Sequence, residues 1–238
     1  MKKFLIVLQY APNEHGVATE ILDAIAKPIT EKNPWADLLV YIRYNAEFPH
    51  KNFCQSLEAK FDNCYGIRSN GPFYHGENAN NEVFVNLLKL LNDTPQFSHY
   101  KAVLAMDTSC SPINKDWMEI LSKEWDENAC HFMGQWKHEN SQNGDPTNCI
   151  GTIHRNAMFT PKLASLRPQL LGSPRGASWH ETYAPILRDL GWQGTYAIKE
   201  VPENASEEEI ASLKQNRCVL VHGLKNSAGL NYYRSQNE

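Results

Sequence analysis

The chain has 238 residues, 42% hydrophobic and 21% charged, an ordinary balance for a globular protein with a substantial core. Its net charge of −4 speaks against a broad electrostatic grip on nucleic acid and leaves only a local basic patch open. No apolar run approaches the roughly 20 residues of a membrane helix, and the six cysteines (54, 64, 110, 130, 149, 218) contain no Cys-x-x-Cys pair, which fits reduced thiols in a cytoplasmic protein better than a disulfide framework or zinc site.

The opening MKKFLIVLQYAP imitates a signal peptide, but LIVL is short and Gln9 and Tyr10 interrupt it. It reads instead as a first strand, Phe4 to Gln9. The polar turn APNEHG leads to a helix from Val17 to Ile29, with Ile21, Leu22, Ile25 and Ala26 at helical spacing and Pro34 beyond its end. Leu38 to Tyr44 is apolar with little alternation, as in a strand buried on both faces. Together these form a βαβ unit with a right-handed crossover. A short helix is expected near Phe53 to Phe61. The stretch CYGIRSNGPFYHGENAN, which carries Arg68, reads as a loop, and Asn81 to Leu91 reads as a helix packed on a sheet.

The segment KAVLAMDTSCSP (101–112) is the pivot. Its apolar run ends in Asp107 before a turn, the pattern of a buried parallel strand. Ligands of open α/β sheets bind at the carboxyl ends of the strands. An acid there suits a metal ion over a phosphate. The competing role is a cap on the turn or on the helix that starts near Asn114.

That helix, NKDWMEILSKEW, turns Trp117, Ile120 and Leu121 inward. HFMGQW (131–136) is expected as a strand, KHENSQNGDPTN as a polar loop, and CIGTIHRNAMFT (149–160) as another strand. A short helix starts at Pro161, and WHETYAPILRDLGW forms a helix stopped by Gly191. TYAIKEV (195–201) is a strand. Ser206 with Glu209 makes a capping box for a helix to Gln215. CVLVHG (218–223) is the last strand, ending in His222, and a helix or turn closes the chain. The layout is α/β, a Rossmann-type layered sheet with helices on both faces. It reads as one domain over 1–238 with two linked halves, 1–110 and 111–238.

Three features lie in order: a mid-chain strand ending in Asp107, a helix start SWHETY with Glu181, and a late strand ending His222-Gly223-Leu224-Lys225. In this order they resemble the nucleotide-sugar glycosyltransferases of the GT-A fold. In that family an Asp-x-Asp motif holds a divalent metal on the donor diphosphate. Here the triplet is Ala105-Met106-Asp107, with only the second acid present. The resemblance implies a nucleotide-binding half over 1–110, an acceptor and metal half over 111–238, and Mn²⁺ or Mg²⁺ held by Asp107 and His222. It also implies a donor, expected to be a UDP-sugar, bound by Gln9, Tyr10, Ala11, Arg68, Met106 and Lys225, with Tyr10 stacking on the base. Glu181 is the candidate general base, although Ser178 to Glu181 also has capping-box spacing. Asp145 is the second candidate base. Trp179, His180, Asn148 and Gly151 are the acceptor-side candidates.

The compact layout also resembles glycosyltransferases of bacteriophages and large viruses. That suggests a hydroxymethylated base in phage DNA as acceptor, in host cytoplasm, with Lys137, Arg155, Arg167 and Arg175 available to phosphates. Two other readings stay open. One is a nucleotidyltransferase, disfavoured because APNEHG replaces a Gly-rich basic loop. The other is a non-catalytic nucleotide- or sugar-binding module, favoured by the missing first acid. No Walker loop, Gly-x-Ser-x-Gly elbow or Gly-x-Gly-x-x-Gly is present.

Overall fold

The computed structural model describes residues 2–43, 45–49, 51–69, 77–138, 151–153, 156–172, 183, 185–187 and 189–237, with the backbone alone for 51–53, 77–82, 136–138, 151–153 and 192. Strand β1 (Phe4–Tyr10) is apolar at every position but Gln9, because it is buried on both faces. Phe4, Ile6, Leu8 and Tyr10 pack on helix α1 (His15–Ala26), while Leu5 and Val7 pack on helix α3 (Glu77–Asp93). Period-two alternation thus feeds two cores rather than a core and solvent. Each such buried Leu, Ile or Phe side chain contributes about 1.5–3 kcal/mol.

β1 pairs in parallel with β2 (Ala36–Ile42) on one side and β4 (Val103–Asp107) on the other. Beyond β2 lies β3 (Cys64–Arg68), also parallel. Beyond β4 come β9 (Met158–Phe159), β6 (Phe132–Gly134) and β10 (Trp192–Gly194), giving the order β10-β6-β9-β4-β1-β2-β3. β9 alone runs antiparallel, to both β4 and β6. Helices α1, α4 (Trp117–Glu127) and α7 (Ala228–Ser235) cover one face; α3 and α5 (Leu163–Leu166) cover the other. This is the α/β layered sheet with helices on both faces that the sequence leads one to expect. The short helix α2 (Lys51–Glu58) lies between β2 and β3.

A three-stranded sheet, β11-β12-β5, flanks the main one. β11 (Ile198–Glu200) runs parallel to β12 (Leu220–His222), and β5 (Ser111–Pro112) runs antiparallel to it. Its own core gathers Ile113, Val201, Ile210 and Val221 beneath helix α6 (Glu207–Gln215). Strands β7 (Trp136–His138) and β8 (Gly151–Ile153) form a separate ribbon. Among the described residues no helix is long and apolar enough to cross a membrane.

Several element boundaries differ from the sequence reading. The start of the stretch read as a loop, Cys64–Arg68, is the edge strand β3, with one face left exposed and so without a long apolar run. The two segments read as single strands, 131–136 and 149–160, each divide between the main sheet and the β7-β8 ribbon. Likewise 195–201 contains only β11, and β10 begins earlier, at Trp192. Each of these segments changes sheets midway, and a hydrophobic pattern does not record which partner a strand has. Helical positions at 183, 185–187 and 189 lie within the helix expected from Trp179 onward.

Candidate active site

The parallel strands line up their carboxyl ends: Asp107, Gln9, Tyr41 and Ile67 form one row across four strands, and Tyr10, Ile42 and Arg68 follow one residue further along. Asp107 sits at the centre of this edge. Its Oδ1 accepts from the Ser109 N–H at 2.9 Å and from the Ser109 hydroxyl at 2.5 Å, an Asx turn closed within three residues. Asn156 holds it from the other side. The Asn156 Oδ1 accepts from the Asp107 N–H at 3.1 Å, and the Asn156 amide donates to Asp107 Oδ2 at 3.3 Å. Because β9 runs antiparallel, its amino end lies beside the carboxyl end of β4, and that direction brings a residue 49 positions away to this carboxylate.

The late segment reaches the same place by a short relay. The Gly223 N–H donates to Ser109 Oγ at 3.1 Å, and the Leu224 N–H donates to the Ser109 carbonyl at 3.3 Å. Ser109 in turn donates to Asp107. Gly223 has φ +96°, and a Cβ on it would stand 2.7 Å from the Val201 carbonyl oxygen. Only glycine fits both the left-handed backbone and the close approach. Gly229, at the start of α7, abuts Ser111 and Leu224 in the same manner, which seats that helix tightly on β5.

Two cavities flank the Asp107–Cys110 turn. The smaller, of about 40 Å³, is bounded by Gln9, Tyr10, Ala11, Glu14, Arg43 and Asp107. The larger, of about 610 Å³, lies between the Thr108–Ser111 turn, Glu14 and Val17 of the β1–α1 segment, and the Leu224–Ser227 segment. The sequence-predicted residues Gln9, Tyr10, Ala11, Asp107 and Lys225 therefore all line one or other of these cavities. Lys225 is exposed, and its ammonium pairs with Glu203 at 2.5 Å. Arg68 ends β3 at the far side of this edge, exposed, with its guanidinium 5.5 Å from the centre of the Phe48 ring.

Two expectations need correction in detail. Met106 is 1% exposed and packs in the α1-side core, so it offers a ligand no side chain. Tyr10 is 3% exposed, and its hydroxyl donates to the Glu47 carbonyl at 2.6 Å. Its ring stands edge-on to His15 rather than presenting a face for a base. Burial pushes its phenol pKa up, Cys54 adding to the rise and Arg68 opposing it. His222 is 2% exposed, a buried imidazole at the end of β12. Among the described residues no three His, Cys, Asp or Glu side chains are grouped to hold a metal ion.

The fold is shared with known structures. The bifunctional glycosyltransferase WbbM aligns over 99% of this chain and 50% of its own, with TM-score 0.65 and 8% identity. GlyE of Streptococcus pneumoniae TIGR4 aligns over 100% and 60%, with TM-score 0.56 and 9% identity. The chain has a glycosyltransferase fold. Mouse xyloside xylosyltransferase 1 aligns over 93% of this chain and 97% of its own, with TM-score 0.55 and 11% identity. The chain thus spans 50% of the length of WbbM, 60% of that of GlyE and nearly all of the mouse protein. No family model and no curated protein sequence matches it.

Asp145, Asn148, Trp179, His180 and Glu181 lie outside the described residues. Gly151 lies in β8, opposite His138. Four residues of this edge were not singled out from sequence: Ser109, Asn156, Glu14 and Arg43. Ser109 is legible in retrospect, since Asp followed two residues later by Ser is the spacing of an Asx turn. Asn156 carries no local signal, because only the strand direction brings it to Asp107.

Proposed function

We propose that the protein transfers a sugar from a nucleotide-sugar, a UDP-sugar in the specific reading, to an acceptor hydroxyl. The observation that carries this is Asp107. It is a carboxylate oriented by Ser109 and Asn156 at the centre of the carboxyl edge, tied by Ser109 to the Gly223–Lys225 segment, on a glycosyltransferase fold.

Asp107 suits a Mg²⁺ or Mn²⁺ shared with the donor rather than one caged by protein. Such ions keep several waters and use one or two carboxylates plus substrate phosphates. His222 is the second ligand of this proposal; its neighbour Gly223 bonds to Ser109, which in turn bonds to Asp107. When bound, the ion supplies Lewis-acid stabilisation of the diphosphate leaving group. The chain's own part is positional. Lys225 adds positive charge beside the larger cavity, and Gln9 and Ala11 bound the smaller one. In the transfer the acceptor oxygen bonds to the sugar's anomeric carbon, the bond from that carbon to phosphate oxygen breaks, and the acceptor proton passes to a carboxylate. Glu181 is the base assigned from sequence, with Asp145 second. A hydroxymethylated DNA base is one acceptor hydroxyl within this proposal.

The test is a thermal-shift series with UDP, GDP and UDP-sugars, with and without Mn²⁺. Ligand at a hundredfold over Kd should raise Tm by about 5–10 °C. The shift should need metal, vanish in Asp107→Ala and shrink in Lys225→Ala, whose exposed side chain leaves the unliganded Tm unchanged. No shift with any nucleotide in the wild type would overturn the proposal. A shift without release of UDP from any UDP-sugar, whatever acceptor is offered, would identify a non-catalytic binding module instead.

A further inference from the structure

Tyr196 is 85% exposed, far more than any other large hydrophobic side chain among the described residues. Exposed aromatics on floppy loops are unremarkable, but this one has a rigid mount. Thr195 and Ala197 on either side are both buried. The Thr195 N–H donates to the Gly134 carbonyl at 3.1 Å, and its hydroxyl donates to the Glu124 carboxylate at 2.5 Å. The Ala197 N–H donates to Thr195 Oγ1 at 2.9 Å, and the Ala197 carbonyl accepts from both Val219 and Leu220. The backbone is clamped to β6, α4 and the strand leading into β12, while the ring stands out in solvent.

Beside the ring is a cavity of about 480 Å³, a volume usual for a small-molecule site. It is bounded by Gln135, Gln193, Thr195, Tyr196 and Lys199. The Gln135 amide oxygen accepts from the Glu200 N–H, which fixes that amide at the cavity wall. An exposed aromatic face on a fixed backbone, next to side-chain amides and one ammonium, matches a pyranose, with an apolar C–H face and a rim of hydroxyls that both donate and accept. The clamped backbone and the fixed Gln135 amide also lose little freedom on binding. The cavity holds one lysine and the chain carries net charge −4, which suits a neutral glycan better than a phosphate backbone.

The place is informative too. β10 and β6 run parallel to β4, so Thr195, Tyr196 and Gln135 follow their strands on the same carboxyl edge as Asp107. β10 lies three strands from β4, about 14 Å at the usual strand spacing. That is too far for the sugar in transfer and within reach of the next units of an oligosaccharide.

We infer that the Tyr196 cavity is a glycan subsite, which holds a distal sugar of an oligosaccharide acceptor against the tyrosine ring; as an acceptor subsite it rests on the transferase reading above. The test is saturation-transfer NMR on the whole chain with xylo-, malto- and chito-trisaccharides, without nucleotide. At least one should receive saturation at its ring C–H protons. Tyr196→Ala should weaken that binding about tenfold, while Tyr196→Phe should hold it within about threefold. Both variants should melt as the wild type does, because the side chain is in solvent. No saturation of any trisaccharide, or undiminished binding by Tyr196→Ala, overturns the inference. So does Tyr196-dependent binding of an oligonucleotide carrying hydroxymethylcytosine with none of the trisaccharides. The two proposals separate cleanly. Nucleotide-dependent stabilisation should survive Tyr196→Ala, and trisaccharide binding without any nucleotide response would leave a glycan site on a protein that is not this transferase.

Discussion

At the residue scale, the site is held by short polar relays rather than by a cluster of charges. Asp107 has each carboxylate oxygen engaged, one by Ser109 and one by Asn156, so it is aimed before any ligand arrives. Preorganisation of this kind lowers the cost of binding an ion or a phosphate. Gly223 is the residue on which the relay turns. Replacing it by alanine forces a Cβ against the Val201 carbonyl in a backbone conformation that disfavours side chains. Gly223→Ala should cost about 2–4 kcal/mol in urea unfolding. It should also weaken the nucleotide-dependent thermal shift more than a destabilisation elsewhere does, because the Gly223 N–H anchors Ser109.

At the element scale, the amino ends of the strands are tied as firmly as the carboxyl ends are left open. Asp37, buried at the start of β2, accepts from Lys3 at 3.3 Å, from Asn63 at 2.7 Å and from Tyr100 at 2.8 Å. A buried carboxylate is tolerated only when so satisfied. These bonds join the lead-ins to β1, β3 and β4 on the edge opposite the site, so rigidity there does not close the ligand edge. Helix α6 starts with a full capping box: Ser206 Oγ accepts from the Glu209 N–H, and the Glu209 carboxylate accepts from the Ser206 N–H. Ser206→Ala should lower stability by about 1 kcal/mol in chemical denaturation. Donor binding should be unaffected, since α6 packs on the flanking sheet and not on the Asp107 edge.

At the scale of the whole molecule, the junction between the two sheets passes through Glu124. This carboxylate on α4 accepts from Thr195 in the β10–β11 connection. Burial raises its pKa above the usual 4.5, the Thr195 bond opposing and the neighbouring Glu127 adding to the rise. A carboxyl whose folded pKa lies above its unfolded one supports the fold at low pH, and that support is lost as pH rises through the folded value. Glu124→Gln keeps an acceptor for Thr195 without the buried charge. It should raise Tm at pH 7, and the gain should disappear below pH 4.5, where the wild-type side chain is itself neutral. A pH-independent difference in melting scans would refute this.

By itself the sequence determined the parts governed by near neighbours. Apolar runs at Phe4–Tyr10 and Val103–Asp107 marked strands buried on both faces, helical spacing marked α1 and α4, and Asp107 stood out as an acid at a strand's end. These signals are local because burial and periodicity act within a few residues. The tertiary structure alone decided which strands are neighbours, and with it the reversed direction of β9 that brings Asn156 to Asp107. It also decided that Tyr10 and Met106 are buried while Tyr196 stands in solvent. An aromatic or a methionine carries the same pattern signal in a core and on a rim, and only the packing of distant segments around it tells the two apart.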